Sequence, residues 1–506
     1  MNEYTSFVLS KNGLPVPCAN EYLFHSRYDP AHEAELFASS FTTSCRYFVV
    51  LGIAGGYHIE ALLKKFPHAE ILALEYSDDS LSFLMQEPRI RSLLTDRRIH
   101  AASPEDASHI FIQTYIPVYH GNVICTELRS WASYFPESCA HLKKIISDSL
   151  DAVSADFSVQ CHFGKLWHRN IMLNAKASSP DNSSVQKNLD TDRTAAIIAA
   201  GPSLDESIRD LTEHRNSYSI IATDTAYSSL INRGITPDAV VSIDGQAVSR
   251  CHFMKGMRKG ILYVFDLCSS PCTVRKAVHE NRDVLFTESG HPLAVYASNA
   301  GCRDHNESSF IHLDSGSGTV TIAAASLAYN AGFTRIAFFG ADFSYKAKPY
   351  TSGTYLDTLY DCDSTRISPA ETRFDALMFR TPLQKGKSEG SFTTSLLDSY
   401  RLSLETFLSS HGYKKDSNGV YTACSAGDYC NKKKHFLSER FYDSYHKQLL
   451  ESLSSEDSQT VLTPVTVTLL PYISYLSSHL NSGTKLSFHE LVKLAYSKTL
   501  RYTENI

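Results

Sequence analysis

The stretch AAIIAAGPSLD, residues 195–205, decides the fold. An apolar run ends in Gly201-Pro202-Ser203 and gives way to an acidic, helix-compatible segment, which predicts a buried strand, a tight turn and a helix start. Turns of this kind hold phosphates, because glycine lets a ligand approach the backbone and N–H groups at a helix N-terminus carry the positive end of the dipole. Gly-Pro-Ser taken alone is more often a plain turn. Two further runs shift the balance: SIIATD, residues 219–224, ends in Thr223 and Asp224, and DAVVSIDG, residues 238–245, ends in Asp244 and Gly245. Strands that carry small and acidic residues at their carboxyl ends fit an open α/β sheet, which binds ligands there.

The 506 residues are 43% hydrophobic and 20% charged, the composition of a globular protein with room for about two to four domains. A formal net charge of -6 argues against nucleic acid or an anionic membrane as the main partner. The N-terminal MNEYTSFVLSKNG lacks a basic region followed by an apolar core, and the apolar stretch 462–480 is broken by Pro464 and Pro471. A cytoplasmic location is therefore expected. Twelve cysteines include no CxxC pair. Cys268 and Cys272 come nearest to a metal half-site but have no second Cys/His pair, so no metal ligand is assigned and reduced thiols are expected.

Four regions are expected: an N-terminal Rossmann-like α/β domain at 1–155, a connecting helix and polar linker at 156–194, a nucleotide-binding domain at 195–430, and a helical region at 431–506. In the first, a strand at 46–52 runs into Gly52-Ile53-Ala54-Gly55-Gly56, and Glu75 ends the next strand roughly twenty residues on, as in a fold half whose acid meets a ribose hydroxyl. Packing of strand against helix is the plainer reading and the preferred one. In the connecting helix, Phe163, Leu166, Trp167, Asn170, Ile171 and Asn174 share helical spacing, and the two asparagines stand one turn apart, placed to bond a neighbouring loop.

Beyond residue 245, strands are expected at 262–266, 284–286 and 310–313, the last leading into Asp314-Ser315-Gly316-Ser317-Gly318. That second glycine turn opens a helix at 319–331, and the apolar strand 335–340 delivers Ala341-Asp342-Phe343 to the same sheet edge. The two turns supply backbone donors for phosphate, the hydroxyls of Ser203, Thr223, Ser315 and Ser317 add neutral donors, and Asp224, Asp244 and Asp342 can orient a ribose, hold Mg²⁺ or act as a base. Neither a Walker lysine nor a kinase glycine loop is present, which argues against ordinary P-loop phosphoryl transfer.

The order GPSLD at 201–205, ATD at 222–224, PDAVVSIDG at 237–245 and DSGSGTVTIAAASLAYNAGFTRIAFFGADFSY at 314–345 resembles the central domain of the motility accessory factors. These are flagellin-modifying glycosyltransferases with a core similar to bacterial sialyltransferases, and their domain family also includes archaeal 6-hydroxymethylpterin diphosphokinases. HSRYDP at 25–30 with Glu33, LGIAGGYH at 51–58, and Phe163, Trp167, Asn170 and Asn174 extend the resemblance over residues 20–430. It implies a Rossmann-like, sialyltransferase-type (GT-A-like) central domain. Gly201, Pro202 and Ser203, with Thr223, Asp224 and Asp244, would meet the nucleotide. Ser315, Gly316, Ser317 and Gly318 would bind the sugar carboxylate or phosphate, and Asp342 would flank the reacting centre.

Related sialyltransferases carry a histidine base after the strand at 335–340, whereas this chain has no histidine between His312 and His411. Tyr345, Tyr350 and Tyr355 occupy that loop, and Tyr350 is the candidate to stabilise a departing phosphate. With an ordinary pKa of about 10 a tyrosine is a poor base, so an acid such as Asp342 takes the proton or the mechanism differs. Thr394 and Glu405 reach substrate in the segment that resembles the family's closing element, unless Leu396, Leu397, Tyr400, Leu404 and Phe407 simply pack a helix. The expected activity is transfer of a nonulosonic acid of pseudaminic, legionaminic or sialic type from a CMP-activated donor to Ser or Thr of flagellin. Phosphate charge is met by hydroxyls and backbone donors or by Mg²⁺. The alternatives are an ATP- and Mg²⁺-using 6-hydroxymethylpterin diphosphokinase and a flagellin-binding chaperone with a degenerate site. Nucleic acid and membrane are not expected partners.

Overall fold

In a computed structural model, the described residues are 3–42, 44–178, 189–302, 308–316, 318–362, 364–387, 389–427, 436–454, 462–480 and 486–504. The chain forms two compact units, Met1–His162 with Ile473–Phe488, and Phe163–Tyr472 with His489–Ile506. The long helix Pro136–Ala177 contributes to both. The connecting helix expected from residue 156 is thus the second half of a 42-residue element. Its first half carries Pro136 and Glu137 at the start, where a missing N–H and a negative charge suit a helix N-terminus.

The first unit has an antiparallel sheet of β1 (Ser6–Leu9), β2 (Pro15–Ala19) and β3 (Tyr22–Leu23). A parallel sheet follows, made of β4 (Tyr47–Leu51), β5 (Glu70–Leu74), β6 (Ile99–Ala102) and β7 (Val123–Glu127) in the order β6-β5-β4-β7. The sequence YFVVL of β4 is buried throughout, as a central parallel strand covered on both faces requires.

The second unit is built on a nine-stranded sheet. Its parallel strands are β8 (Thr194–Ile198), β9 (Tyr218–Thr223), β10 (Ala239–Ser242), β11 (Leu262–Asp266), β12 (Asp283–Glu288), β13 (Ile311–His312) and β14 (Arg335–Phe339). A small hairpin, β15 (Gln384–Lys385) with β16 (Phe392–Thr393), lies apart from that sheet, while β17 (Lys414–Lys415) and β18 (Tyr421–Thr422) complete it as antiparallel edge strands. The order is β13-β12-β11-β10-β9-β8-β14-β18-β17. From β8 the chain steps outward to β13 and then returns to lay β14 on the other side of β8. This creates a topological switch point between β8 and β14, the place where open α/β sheets take their ligands.

The helix Val320–Ala331 covers β8, β9 and β10. Its run of alanines, with Thr321, Ile322, Ser326 and Leu327, is buried against Ile197, Ile221, Val241 and Val264, so small side chains let helix and sheet approach closely. The tail forms helices Ser438–Ser454, Pro464–His479 and Phe488–Glu504. The linker segment 179–188 and the boundary expected at 430/431 lie outside the described residues. Among the described residues no helix is long and apolar enough to cross a membrane.

Candidate functional site

At the switch point the first glycine turn and the end of β14 are hydrogen-bonded to each other. Gly201 N–H donates to the Gly340 carbonyl at 2.8 Å, and Ser203 N–H donates to Asp342 Oδ2 at 2.8 Å. A Cβ on Gly201 would stand 2.4 Å from both Asp342 Oδ2 and Gly340 O, so only glycine permits this approach. The turn does hold an anion, and the anion is the protein's own: the Asp342 carboxylate takes the N–H that a phosphate would seek. Gly340 (φ +66°) and Phe343 (φ +47°) bracket Asp342 in left-handed backbone. For an aromatic residue that conformation costs about 1–3 kcal/mol and persists only where its surroundings impose it. Here Thr393 Oγ1 donates to the Phe343 carbonyl at 3.0 Å, and Tyr345 and Phe392 exchange backbone hydrogen bonds.

From Asp342 the chain runs as a strap, residues 343–354, along the carboxyl ends of the strands. Thr351 N–H donates to the Ala200 carbonyl at 2.9 Å, and Asp205 in the first turn of the helix Leu204–Glu213 accepts from Thr351 Oγ1 at 2.5 Å and Ser352 Oγ at 3.0 Å. Asp205 also pairs with Arg233. Burial works to raise the Asp205 carboxyl, but the donors on Thr351 and Ser352 and the Arg233 charge hold it below the ordinary range. From the helix Asp224–Asn232, Ser229 Oγ donates to the Ser352 carbonyl and Asn232 Nδ2 to the Gly353 carbonyl, at 2.7 and 3.0 Å. Tyr350, in this strap, is pushed up to about 12 by burial and then by Tyr345, Tyr355 and Tyr360. It stays protonated at neutral pH and can donate to a phosphate oxygen but not accept a proton.

The next group lies at the ends of β9 and β10. Asp224 is buried, with Oδ1 accepting from Thr225 N–H and Oδ2 from Ser242 Oγ, both at 2.7 Å. Thr223, also buried, precedes it as the helix N-cap without a side-chain cap bond. Asp244 Oδ1 accepts from Gln246 N–H at 2.9 Å, and burial, with the Asp224 charge adding to it, pushes this carboxyl up. Asp224 and Asp244 therefore lie within electrostatic reach of each other. Tyr355 faces the same pair, and the His252 ring meets it edge-on, with centroids 4.8 Å apart. Asn170 Nδ2 spans the carbonyls of Gly245 and Cys268, and Asn174 Nδ2 those of Leu267 and Ser269, all at 2.8–2.9 Å. The asparagine pair fixes the loops after β10 and β11.

The second glycine turn stands elsewhere. Gly316 N–H donates to Asp314 Oδ1 at 2.8 Å, and the N–H groups of Gly318 and Thr319 both donate to the Ser315 carbonyl. Ser317 lies outside the described residues. A Cβ on Gly316 would press on Ile322 and Ser403, so the turn faces the helix Ser395–Ser410, and Asp314 and Gly316 line an open cavity of about 430 Å³ together with Ser399, Ser403 and Thr406. Thr394 caps that helix, its hydroxyl accepting from Leu397 N–H at 3.2 Å. Glu405 accepts from Arg401 at 2.7 Å. The structure thus joins Gly201, Ser203 and Asp342 in one place, brings Asp224 near Asp244, and keeps Ser315, Gly316, Gly318 and Thr394 around a different helix.

A family model described as 6-hydroxymethylpterin diphosphokinase MptE-like matches residues 169–348, a span that runs from the asparagine clasp to the strap. Two uncharacterised proteins of Treponema pallidum (strain Nichols) are related to the chain. One is 37% identical over 197 residues, which is 38% of this chain and 89% of the relative, and the other is 32% identical over 255 residues, 50% and 80%. The structure of the Maf glycosyltransferase from Magnetospirillum magneticum AMB-1 superposes with a TM-score of 0.50 at 14% identity, covering 100% of this chain and 92% of that one. Residues 169–348 form an MptE-like domain, and the chain belongs to one family with the two Treponema pallidum proteins. At that identity the shared property with the solved Maf glycosyltransferase is the fold.

In this member of the family the N-terminal glycines do structural work. Glu75 is fully buried, with Oε1 accepting from Trp131 Nε1 at 2.6 Å and Tyr76 N–H at 3.1 Å. Its Oε2 accepts from Ile53 N–H, Ala54 N–H and Tyr4 OH at 3.1–3.4 Å. A Cβ on Gly52 (φ +86°) would fall 2.3 Å from Trp131 Cγ. The indole and the phenol occupy the place where a ribose would meet the acid, so Gly52 and Glu75 pack strand, turn and Trp131 together. Burial pushes the Glu75 carboxyl up to about 7 against the pull of its donors.

Further strand-end groups escaped the sequence reading. Asp266, buried at the end of β11, is raised to about 6 by burial. Glu288, buried at the end of β12, binds His312 Nδ1 at 2.8 Å and raises that imidazole. The signal was present in the regular spacing of strand and terminal acid, which recurs from Asp224 to Asp314. Among the described residues every cysteine is free, and no group of three or more His, Cys, Asp or Glu is placed to hold a metal ion.

Proposed function

We propose that the chain is a glycosyltransferase that moves a nonulosonic acid, of pseudaminic, legionaminic or sialic type, from a CMP-activated donor to serine or threonine hydroxyls of flagellin. The observation that carries this reading is the contact of the Gly201 turn with Asp342 at the switch point, on a fold shared with a Maf glycosyltransferase. A donor phosphate competes with the Asp342 carboxylate for Ser203 N–H. On binding it displaces that carboxylate, which is then free beside the reacting centre. Tyr350, held protonated, donates to the leaving phosphate, and the strap from Phe343 to Thr354 excludes water.

This reading makes Asp342→Ala informative in two directions. Removing the competing anion leaves CMP binding intact or tighter by calorimetry, while flagellin in a strain carrying the variant loses the sugar mass. Tight ATP binding with no CMP binding, or flagellin of unchanged, glycosylated mass in that strain, refutes the proposal. The match of residues 169–348 to the MptE-like model favours one second reading, an ATP- and Mg²⁺-dependent 6-hydroxymethylpterin diphosphokinase. Turnover of 6-hydroxymethylpterin with ATP would establish it. Flagellin binding with neither nucleotide bound would instead support the chaperone.

A further inference from the structure

We propose that His252 is the base that takes the proton from the acceptor hydroxyl, an inference that rests on the glycosyltransferase reading above. His252 lies on the short helix Ala247–Phe253 that follows β10. Its carbonyl accepts from Ser228 Oγ at 2.7 Å and its ring is packed edge-on against Tyr355. Nδ1 is buried without a hydrogen-bond partner, and two neighbours share that condition: Ser249 Oγ, three residues back, and Thr354 Oγ1, next to Tyr355. Buried polar atoms are normally paired, so the unpaired Nδ1 of His252, a ring within electrostatic reach of Asp244, marks a place that a polar ligand completes. The titratable neighbours are Asp244 on the same loop, Asp224 at the end of β9, Tyr355 on the strap side and Cys251.

The strand order favours this histidine over His312. In a sugar phosphate the anomeric carbon lies one bridging oxygen from phosphorus, the attacking oxygen adds about 3 Å and the base about 3 Å more. The base must therefore come from an element close to the phosphate rather than from a distant strand. Neighbouring strands are about 4.8 Å apart, so β10, from which the chain continues into the His252 helix, is two spacings, about 10 Å, from β8, whereas β13, which carries His312, is five spacings, about 24 Å, away. Although His312 has the better-formed carboxylate partner, it is out of reach. In the step itself, the hydroxyl oxygen forms a bond to the anomeric carbon, the bond from that carbon to the phosphate oxygen breaks with its electron pair leaving on CMP, and the hydroxyl proton passes to the His252 imidazole.

The test measures CMP affinity by calorimetry and the rate at which flagellin gains sugar mass, for wild type, His252→Gln, His252→Asn and His312→Gln. Both His252 variants should bind CMP within twofold of wild type and transfer about 10²–10⁴-fold more slowly, and His312→Gln should transfer within threefold of wild type. Transfer by a His252 variant within threefold of wild type, loss of CMP binding in both His252 variants, or an equal fall in His312→Gln overturns the proposal. A wild-type protein that binds no CMP removes the underlying glycosyltransferase reading, and this proposal with it, before any variant is compared.

Discussion

Replacing Gly201 with alanine tests whether the switch point is built as tightly as its contacts imply. The glycine is not in left-handed backbone, so alanine meets no conformational penalty there, and all of the cost comes from space. Its Cβ would stand 2.4 Å from Asp342 Oδ2 and 2.4 Å from the Gly340 carbonyl oxygen, about 1 Å inside ordinary contact. The carbonyl is backbone and is bonded to Gly201 N–H, so it yields little, and forcing it outward costs about 1–3 kcal/mol as overpacking. If the carboxylate swings away instead, Ser203 N–H loses a charge-assisted partner, which costs about 1–3 kcal/mol more. Gly201→Ala should therefore lose about 2–6 kcal/mol in urea unfolding of the second unit. Gly256→Ala is the comparison: that glycine is left-handed (φ +85°) with nothing within 4 Å, so it bears only a backbone cost of about 1–2 kcal/mol. A Gly201→Ala protein within 1 kcal/mol of wild type, or less affected than Gly256→Ala, would refute the close approach of turn and carboxylate.

The Glu75 carboxyl gives the first unit a definite pH response. Its folded value of about 7 exceeds the unfolded value of about 4.5, so between those pH values the folded state holds a proton that the unfolded state has lost. Stability from this group is full below about 4.5 and is lost as pH rises through 7, by about 3 kcal/mol. The fluorescence of Trp131, followed in a Trp167→Phe background, should report weaker unfolding resistance at pH 8.5 than at pH 5, and Glu75→Gln should remove that difference; a flat profile in the parent contradicts it. In the second unit, Asn170→Ala breaks two buried 2.9 Å hydrogen bonds and should cost about 2–3 kcal/mol, with faster hydrogen exchange in the loops after β10 and β11. Asn170→Asp should be worse, because it aims a carboxylate at two carbonyl oxygens. Equal stability for asparagine, alanine and aspartate would show that the clasp carries no load.

What could be read from the sequence was the part encoded locally. The run into Gly201-Pro202-Ser203 and the run into Asp342 each announced a strand and a tight turn, and the rule for open sheets placed both at one edge. That Ser203 N–H would be filled by Asp342 depends on which strands are neighbours, 139 residues apart in sequence, and no local pattern reports it. The same limit explains Glu75. Its spacing from Gly52 suits a ribose-binding acid, and only the position of Trp131, 56 residues further on, shows that the place is filled. Thr394 is a different case: a threonine directly before an apolar-periodic run is an N-cap signal, and a capping reading was available from the sequence. His252 was passed over because a histidine on a loop carries no pattern of its own until Tyr355 and the two carboxylates are set around it.

The carboxyl edge of the sheet poses an electrostatic problem that any phosphate-using reaction must solve. Asp224, Asp244, Asp266, Glu288, Asp314 and Asp342 stand along it, and two cations near it are engaged, Arg233 by Asp205 and Lys346 by Glu206. A phosphate brought to this edge meets like charge at close range, worth about 4 kcal/mol per pair at 4 Å in a medium of dielectric about 20. Three features of the chain reduce that repulsion. Burial raises Asp244 and takes Asp266 to about 6, which lowers their mean charge in weakly acid conditions. Ser242 and Gln246 fix Asp224 and Asp244 by hydrogen bonds that spread the charge they retain. Asp342 alone is held by the very N–H that a phosphate needs, so its departure both frees the donor and removes a negative charge from the turn. Under the proposed donor binding, an anion exchange at Ser203, one carboxylate out for one phosphate in, would keep the turn's charge balance nearly constant, which is how so acidic a sheet edge would admit a phosphate at its switch point.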